Sequence, residues 1–530
     1  MKIEQLTTQV SVSDQITVKD VEILAKQGIE ILVCNRPDGE SEDQTPYAEI
    51  EAAAKNLNID FRLLAFSSYQ ISDEYRDQFI KIIAERKRVH AYCRTASRSK
   101  RLWRQANFMA GGESEYNEAH PELLTNKDEP IFDVVIVGAG SAGIATASSL
   151  LKRKPLLNIA IIDPAQHHYY QPGWTMVGGG LFSPESTERF TGSLIPKNVT
   201  WLQNAVMEFS PRENLVVLDD SSVVHYQQLV VAPGLELHWD GIEGLSDTLG
   251  KNGVTSNYRF DLAPYTWKLV TELKEGNAIF TQPPMPIKCA GAPQKAVYLS
   301  ADHWLKEKCL DNINVSFYNS GGVLFGVSEF VPALTSYMEK YKVDLQFSQT
   351  LIKVDGDTKT AWFKSSEGEV SETKFDLLHV CPPQRAPEFI RSSPLSDSSG
   401  WLDVKSDTLQ HAYFDNVWGA GDVMNTPNAK TMAAARKQAP VVAKNICNTI
   451  DKINALAQYD GYGACPLTVE RGKIILAEFA YGGELKPTFP TWLNTATKAT
   501  PFAWHLKASV LPFVYWNMML KGREWFTHSN

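Results

Sequence analysis

The sequence predicts a multidomain α/β protein on the strength of three observations. Short apolar runs of strand type alternate with segments of helical periodicity along most of the chain. A glycine-rich turn at 138–143 lies between an apolar run and a helical segment, as a nucleotide-binding βαβ unit requires. A polar stretch without periodicity, 111–130, separates a small N-terminal part from a larger remainder.

These features divide the chain into predicted parts. Residues 1–110 form an N-terminal α/β domain and 111–130 form a linker. Residues 131–490 form two Rossmann-like dinucleotide-binding domains, with the second inserted at about 255–385. Residues 491–530 form a tail of amphipathic helices rich in aromatic side chains.

The N-terminal part alternates between the two periodicities. Helices are predicted at 21–25, 47–56 and 74–86, and strands at 29–33 and 89–92. Because helices alternate with strands, a mixed α/β layer structure is expected.

Composition limits the function classes. With 43% hydrophobic and 21% charged residues over 530 positions, the chain is not disordered, collagen-like or a coiled coil. A net charge of −9 without a basic run argues against nucleic-acid partners. The start lacks the apolar core of a signal peptide, and no run of about 18 apolar residues predicts a spanning helix. Seven scattered cysteines predict neither a disulfide framework nor a metal site, and a cytoplasmic location is expected.

A nucleotide site is predicted where the strand at 134–137 enters the glycine-rich turn. Glycines there allow the backbone to approach a pyrophosphate, and the helix that follows supplies amide donors. A second strand ends in Asp163, 20 residues after the last glycine, where a carboxylate can accept from a ribose hydroxyl. The predicted contacts are Gly138, Gly140, Ser141, Ala142, Gly143 and Asp163.

Two later segments favour FAD over NAD as the nucleotide. An apolar strand at 229–232 ends in the turn Pro233-Gly234. Further on, Gly421-Asp422 precedes a helical run from Thr431, so that a carboxylate and a helix N-terminus can face a flavin. Two further predicted cofactor contacts are Gln171 and Lys430.

The second dinucleotide domain lacks the glycine spacing of a nicotinamide site. Its strand at 315–318 is followed by the segment 319–326, in which Leu324 and Phe325 are expected to crowd a pyrophosphate. The sequence therefore predicts that the electrons come from a reductant other than NAD(P)H.

Four segments, 168–174, 287–295, 459–462 and 511–520, resemble sulfide:quinone oxidoreductases of the mitochondrial-type branch. The resemblance extends from about residue 132 to about residue 522. It implies FAD, a redox-active cysteine beside the flavin, sulfide or a small thiol or persulfide as reductant, a quinone acceptor and attachment to one face of a membrane.

The resemblance implies that Cys289 is the cysteine that is loaded with sulfur. The thiolate is the reactive form, and the cations of Lys288 and Lys295 can lower the pKa of this thiol. The alternative is a buried, inert cysteine that behaves as a small hydrophobe.

The family also carries a second redox cysteine just after the Gly-Asp pair, where this chain has Val423 and Met424. Cys381, at the end of a predicted strand, is the candidate substitute, and a strand-end cysteine without function is the alternative. Without a partner, Cys289 works alone through a persulfide or the enzyme uses another reductant. The remaining cysteines of this half are interpreted as structural: Cys309, Cys447 and Cys465.

The tail fits attachment to a membrane surface. Apolar side chains can form one helical face, with Lys507 and Lys521 at the level of lipid headgroups. A dimer interface or ordinary closure of the core is the alternative. The predicted apolar face consists of Trp504, Leu506, Val510, Leu511, Phe513, Val514 and Met518.

Residues 8–110 resemble the beta-lactamase hydrolase-like phosphatase family, which implies a phosphatase/rhodanese-like fold. The segment 90–99 carries the chemistry, because a strand ends in Cys93 and Arg98 begins the next helix. Only four residues separate the two, as in rhodanese loops, and Ala96 replaces the family's usual glycine. Sulfur transfer is therefore favoured over phosphate hydrolysis, and a degenerate anion-binding module is the alternative.

Together these observations predict an FAD-dependent oxidoreductase that oxidises sulfide with quinone, lies on the inner face of the membrane and carries a sulfurtransferase or phosphatase-like module. Two other functions stay open: an NAD(P)H-dependent flavin dehydrogenase and a catalytically impaired sulfur sensor. The sequence leaves a homo-oligomer open as well.

Overall fold

The computed structural model describes residues 1–41, 44–66, 73–94, 96, 98–100, 102–103, 106, 130–220 and 222–524. The chain forms two compact units. The N-terminal unit comprises 1–132, 204–227 and 392–395, and the main unit comprises 133–203, 228–391 and 396–530. Of the predicted linker, residues 111–129 lie outside the described residues.

The N-terminal unit is built on a five-stranded sheet of order β1-β2-β5-β3-β4. Only β1 is antiparallel to its neighbour, so the carboxyl end of β5 lies between two parallel strands. Its strands and helices are β1 (Ile3–Gln5), β2 (Val10–Ser13), α1 (Val18–Lys26), β3 (Ile31–Cys34), α2 (Tyr47–Asn56), β4 (Asp60–Leu63), α3 (Asp73–Ala84) and β5 (Val89–Tyr92).

Apolar side chains cover both faces of this sheet. One cluster packs Val21 and Leu24 of α1 with Ile50 of α2, and another contains Phe79 of α3. Because parallel strands need both faces covered, this is the layered arrangement that the alternating periodicity predicts. The unit also contains the antiparallel strands β11 (Val206–Ser210) and β12 (Leu215–Leu218).

The main unit contains the predicted strand–glycine turn–helix. β6 enters the glycine turn and is followed by a helix that begins at Ser141. The strand order is β10-β7-β6-β13, with β24 paired to β13. The elements are β6 (Ile131–Val137), α4 (Ser141–Arg153), β7 (Ile159–Ile162), β10 (Val199–Leu202), β13 (Val223–Val231) and β24 (Val417–Gly419).

A second parallel sheet has the order β15-β22-β16-β17-β18. A three-stranded antiparallel sheet lies in the chain between β18 and β22. The elements are β15 (Val254–Thr255), α7 (Leu262–Glu272), β16 (Gly276–Gln282), α8 (Ala292–Lys306), β17 (Ile313–Asn319), α9 (Val331–Lys340), β18 (Asp344–Phe347), β19 (Gln349–Asp355), β20 (Thr360–Ser365), β21 (Val370–Lys374) and β22 (Leu377–His379).

The C-terminal part of the main unit supplies a long helix, a hairpin and the tail. The helix α11 contacts α4, and the hairpin contacts α8. These elements are α11 (Met432–Ile450), β25 (Gly463–Glu470), β26 (Lys473–Phe479), α12 (Pro501–His505), a π-helical turn (Leu506–Val510) and α13 (Leu511–Asn517). Shorter elements are β8 (His167–Tyr169), α5 (Trp174–Gly178), β9 (Glu188–Phe190), β14 (Glu236–Leu237), α6 (Leu245–Thr248), β23 (Gln384–Arg385) and α10 (Glu388–Arg391).

Gly143 allows α4 to pack closely against the turn that precedes it. A Cβ at this position would lie 1.9 Å from the carbonyl oxygen of Gly138. We therefore expect Gly143→Ala to destabilise the main unit by about 1–3 kcal/mol, since overpacking forces the backbone to move. Thermal unfolding measures this loss. Gly322→Ala is the matched control, because a Cβ there meets nothing within 4 Å, and an equal loss in the control would contradict the packing argument.

Candidate active site

The candidate active site is a cavity of about 310 Å³ in the main unit. Its volume lies within the range of roughly 300–1,000 Å³ that is usual for cofactor and small-molecule sites. Loops after β6, β13 and β24 meet there with the turn before α8, the hairpin β25–β26 and the tail. The predicted residues that line it are Gly140, Ser141, Ala142, Gln171, Pro233, Gly234, Cys289, Lys295, Gly421, Asp422 and Lys430.

The glycine turn is shaped to leave room on the cavity side. A Cβ at Gly138 would lie 2.4 Å from the carbonyl oxygen of Ala232, and Gly138 has φ +105°. A Cβ at Gly140 meets no protein atom within 4 Å, although this residue lines the cavity. Gly138 and Gly143 therefore allow close backbone packing. Gly140 leaves space beside the first turn of α4, as a pyrophosphate requires.

Asp163 lies at the end of β7 and holds the glycine turn itself. Its Oδ2 accepts a hydrogen bond from the backbone amide of Ala139 at 2.6 Å, and Oδ1 accepts from that of Ala165 at 2.8 Å. The carboxylate is thus fixed beside the turn, and its contact with a ribose stays a prediction.

The predicted flavin-facing segment after β24 carries opposite charges. Burial raises the pKa of Asp422 and lowers that of Lys430 to about 8. The Lys430 ammonium donates to the backbone carbonyls of Asp422 and Met424, at 2.8 and 2.7 Å. The Thr431 hydroxyl accepts from the amide of Ala434, so α11 begins at the cavity wall as the sequence predicts.

Cys289 lies in the turn before α8, and its backbone has φ +52°, in the left-handed region. The Lys295 ammonium, one turn into α8, donates to Cys289 Sγ at 3.1 Å. The carbonyl of Cys289 accepts from the Ala292 amide at 2.7 Å, which places the thiol beside the start of the helix. A thiolate at this position is therefore stabilised by a cation and by a helix N-terminus.

Cys465, on β25, is the cysteine that the structure places against Cys289. The two sulfur atoms are 3.7 Å apart, and Lys295 Nζ also lies 3.9 Å from Cys465 Sγ. A Cβ at Gly291 would lie 2.6 Å from the Cys465 sulfur, so the glycine makes room for it. The hydrogen bond from Cys465 and the Lys295 cation hold the pKa of Cys289 well below its usual range, whereas that of Cys465 is raised.

The interpretation of Cys465 as structural is therefore corrected, because the structure places this cysteine against Cys289. Cys381, the predicted substitute for the second cysteine, does not take that position. Cys381 follows β22 and is fully buried; its thiol contacts the Pro382 carbonyl and the Gln384 amide nitrogen. Burial raises the pKa of Cys381 to about 12, so this thiol stays protonated. A signal for Cys465 was present, because it lies three residues after the family-like segment 459–462.

The tail forms one wall of the cavity. Tyr515 of α13 places its hydroxyl 2.7 Å from Ser141 Oγ at the glycine turn. Of the predicted apolar face, Leu506, Leu511 and Val514 line the cavity, and Phe513 is 59% exposed. Within the described residues, no helix combines the length and hydrophobicity needed to cross a bilayer.

The predicted position of Lys507 at the headgroup level is wrong. The side chain is buried, lines the cavity and donates from Nζ to the Pro172 carbonyl at 2.8 Å. Burial, together with the nearby Lys295 cation, lowers the pKa of Lys507 to about 7. The alternation of apolar residues gave no indication that this lysine faces inward, whereas Lys521 is exposed as expected.

In the second dinucleotide domain, Leu324 and Phe325 are buried in the hydrophobic core. The Leu324 carbonyl accepts a hydrogen bond from the side chain of Gln294, and the Phe325 ring packs against Phe330 and Phe479. The turn after β17 is therefore filled by its own side chains, which differs from the glycine-lined turn after β6.

The N-terminal unit has its own candidate site at the carboxyl end of β5. Cys93 is buried there, and Ala96 has φ +70°, a conformation that favours glycine. The Arg98 guanidinium donates from both terminal nitrogens to Glu40, at 2.8 and 2.6 Å, and to the Phe66 carbonyl at 2.9 Å. The predicted loop residues Thr95 and Ser97 lie outside the described residues.

Comparison with known proteins identifies both parts of the chain. Residues 2–110 match the phosphatase-like domain of beta-lactamase hydrolase-like proteins, and residues 132–273 match the pyridine nucleotide-disulphide oxidoreductases. The mitochondrial sulfide:quinone oxidoreductase of Dictyostelium discoideum is 41% identical over 408 residues, which cover 76% of this chain and 89% of that protein. The chain belongs to the sulfide:quinone oxidoreductase family. The predicted resemblance is thus confirmed.

Further sulfide:quinone oxidoreductases support this membership. That of Mus musculus, also named mitochondrial, is 37% identical over 393 residues, covering 74% of this chain and 87% of that protein. The structure of the Aquifex aeolicus sulfide:quinone oxidoreductase shares the fold, with a TM-score of 0.62 and 20% identity over 74% of this chain and 92% of that chain. The α/β flavoprotein fold is confirmed, and the chain is a flavin-dependent enzyme.

The expected cytoplasmic location is contradicted by the comparison. The similar sulfide:quinone oxidoreductases of Dictyostelium discoideum and Mus musculus are both named as mitochondrial proteins. The expectation rested on composition and on the absence of a signal sequence, and neither distinguishes a cytoplasmic from a mitochondrial enzyme.

Lys295 is expected to keep Cys289 ionised at neutral pH. Lys295→Met removes the cation at 3.1 Å, so the pKa of Cys289 should rise by roughly 1–3 units. The rate of alkylation of Cys289 by iodoacetamide, followed by peptide mass spectrometry between pH 5 and 10, measures this pKa. Lys268→Met, which removes an exposed lysine, is the control, and an unchanged profile in Lys295→Met would refute the assignment.

Proposed function

We propose that this protein is an FAD-dependent enzyme that oxidises sulfide to sulfane sulfur and passes the electrons to a quinone. The observation that carries the proposal is the approach of the buried Cys465 to Cys289, which together with Lys295 lines the cavity that also contains the glycine turn. Family membership points to the same reaction, because the relatives are named for it.

The residues around the cavity fit FAD. Space beside Gly140 and the start of α4 suit a pyrophosphate, and the start of α11 with Asp422 and Lys430 suits a polar flavin edge. When bound, the flavin accepts an electron pair from the sulfur site and passes it to the acceptor. The protein contributes the position and the protonation state of the two cysteines.

The sulfur step follows from the position of the Lys295 ammonium, which lies 3.1 Å from Cys289 Sγ and 3.9 Å from Cys465 Sγ. With Cys289 and Cys465 joined as a disulfide, HS⁻ attacks the sulfur of Cys465, and the S–S bond breaks. Cys465 becomes a persulfide, the proton of HS⁻ is released, and Cys289 leaves as a thiolate. The better leaving group is the thiol of lower pKa, which is Cys289 beside Lys295. A second HS⁻ then takes the outer sulfur from Cys465, and loss of two electrons from the cysteine pair to a bound flavin would restore the disulfide.

The hairpin β25–β26 contributes side chains both to the sulfur site and to the lining of the cavity. Cys465 and its cross-strand partner Ala477 belong to the core that contains α8. The alternate pair, Ala464 and Glu478, lines the cavity. Side chains of successive residues point to opposite faces of a strand, so the Cys465 side chain faces α8 and the Ala464 side chain faces the cavity.

The tail side of the cavity suits a quinone. Its lining is mostly apolar, as a quinone ring with a hydrocarbon chain requires. Phe513 of α13 and Trp492, which is 83% exposed, offer apolar surface to a membrane in which a quinone dissolves. Attachment of the tail to a membrane surface is part of this proposal. The apolar lining residues are Leu476, Phe489, Leu506, Leu511, Val514 and Met519.

For the N-terminal unit we propose sulfur transfer at Cys93. The thiolate attacks the outer sulfur of a persulfide, the S–S bond breaks, and the donor thiol leaves while Cys93 becomes the persulfide. The four-residue spacing to Arg98 supports this reaction over phosphate hydrolysis, because the shorter loop leaves less room for a tetrahedral anion. The phosphatase-like family match keeps phosphate hydrolysis as the second candidate.

Both cysteines of the pair should be required for reduction by sulfide. We expect Cys289→Ser and Cys465→Ser each to slow anaerobic, sulfide-dependent bleaching of the flavin by at least about 10³-fold, since the nucleophilic exchange is lost. Cys447→Ser, at a cysteine on α11 outside the cavity lining, should behave as the unmodified protein. Stopped-flow absorbance measures the rates. Unchanged bleaching in Cys289→Ser would contradict the sulfur mechanism.

The dithionite-reduced flavin provides the internal check on these variants. Its reoxidation by a short-chain quinone should proceed at the normal rate in both, because the apolar tail lining proposed for the quinone contains neither cysteine. A parallel loss of reoxidation would indicate damage to the cavity instead.

Sulfur from the main unit is expected to reach Cys93. After turnover with sulfide and quinone, peptide mass spectrometry should find an additional 32 Da, one sulfur atom, on Cys93 and no such mass in Cys93→Ser. Hydrolysis of p-nitrophenyl phosphate by the same protein, lost in Cys93→Ser, together with an unlabelled Cys93 would favour the phosphatase instead.

A further inference from the structure

The backbone of Cys289 is held in an unusual conformation. Its φ of +52° lies in the left-handed region, which residues with a Cβ adopt at a cost. Such a conformation persists only where the surroundings determine it. The contacts of the Lys288–Cys289 backbone are therefore informative about how the thiol is aimed.

Side chains from the second dinucleotide domain contact both sides of this backbone. The Lys288 amide donates to Gln384 Oε1 at 2.7 Å. The Tyr258 hydroxyl donates to the carbonyls of Lys288 and Cys289, at 3.2 and 3.4 Å. A fourth contact comes from the loop before α11, where the Lys430 carbonyl accepts from the Cys289 amide at 2.8 Å.

Cys381 joins the two side chains that make these contacts. Its sulfur accepts a hydrogen bond from the side-chain nitrogen of Gln384 at 3.8 Å and packs with the Tyr258 side chain. The fold brings Tyr258 and Cys381 together, because they follow the neighbouring parallel strands β15 and β22 at the same end of the sheet. Tyr258, Cys381 and Ile287 also form one buried cluster, against which Cys289 packs.

We propose that Tyr258, Gln384 and Cys381 are positioning residues that hold Cys289 in its left-handed conformation, with its thiol toward Lys295 and Cys465. This inference rests on the proposed function in treating Cys289 as the redox cysteine. It assigns the third cysteine of this region to hydrogen bonding, without a redox step.

The protonation states agree with that assignment. Burial raises the pKa of Cys381 to about 12 and that of Tyr258 well above its usual value, so both keep their protons at neutral pH. If Tyr258 lost its hydroxyl, two buried carbonyls would lose a donor and the turn would be free to relax. The Cys289 thiol would then move away from the ammonium at 3.1 Å, and its pKa would rise.

The pH profile of Cys289 alkylation tests the proposal in the full-length flavoprotein. With Tyr258→Phe, the apparent pKa of Cys289 should rise by about one unit, which slows iodoacetamide labelling at neutral pH about 10-fold. Sulfide-dependent flavin reduction should show a similar fall in kcat with little change in KM, and quinone reoxidation of the reduced flavin should not change. Tyr341→Phe, which removes another buried hydroxyl with a backbone carbonyl partner, is the matched control.

Cys381 provides a conservative pair of variants. Cys381→Ala should reproduce part of the rise in the Cys289 pKa, whereas Cys381→Ser, which keeps a donor and acceptor, should restore the profile. A redox role for Cys381 predicts the opposite, namely that serine is as damaging as alanine. Thermal unfolding and flavin content of each variant distinguish a local effect from misfolding.

The outcomes separate the two proposals. A normal alkylation profile in Tyr258→Phe and Cys381→Ala, in folded protein, would overturn the positioning role. Failure of sulfide to bleach the flavin in the unmodified protein would overturn the proposed function. The alkylation profile would still show whether Tyr258, Gln384 and Cys381 position the Cys289 thiol.

Discussion

The structure of the site depends on one interaction, the approach of the Lys295 ammonium to the Cys289 sulfur at 3.1 Å. A buried thiolate without a cation would be costly, and a buried ammonium without an anion equally so. Each group therefore stabilises the charge on the other: the pKa of Cys289 is lowered and that of Lys295 is raised. Lys507, which faces the same thiolate but also Lys295, has its pKa lowered to about 7 instead.

The fold brings Cys465 to the Cys289–Lys295 pair from a distant part of the chain. Lys295 lies one turn into α8 and Cys289 lies in the turn just before this helix, so their proximity is local in the sequence. Cys465 comes from β25, 176 residues further on, and reaches Cys289 because the hairpin packs against α8 at a glycine. The core around α8 thus positions the sulfur atoms, and the tail forms another wall of the cavity that Cys289 lines.

Local chemistry could be predicted from the sequence, and long-range pairing could not. The glycine turn, the start of α11 and the Cys289–Lys295 spacing are contiguous patterns with a direct physical meaning. Cys465 lies near a family-like segment but has no charged residue beside it in the sequence that would activate its thiol. Its role depends on strand register and on the space at Gly291. Lys507 was misplaced for a similar reason: helical periodicity identifies an apolar face but does not show whether that face meets lipid or protein.

The most direct test of the account is an anaerobic titration of the flavoprotein with sulfide, followed by a short-chain quinone. Loss of flavin absorbance is expected as excess sulfide is added, because a second HS⁻ removes the outer sulfur and the cysteine pair can then return to the disulfide; quinone should restore the absorbance. Flavin absorbance that does not respond to sulfide but is bleached by NADH would contradict the account.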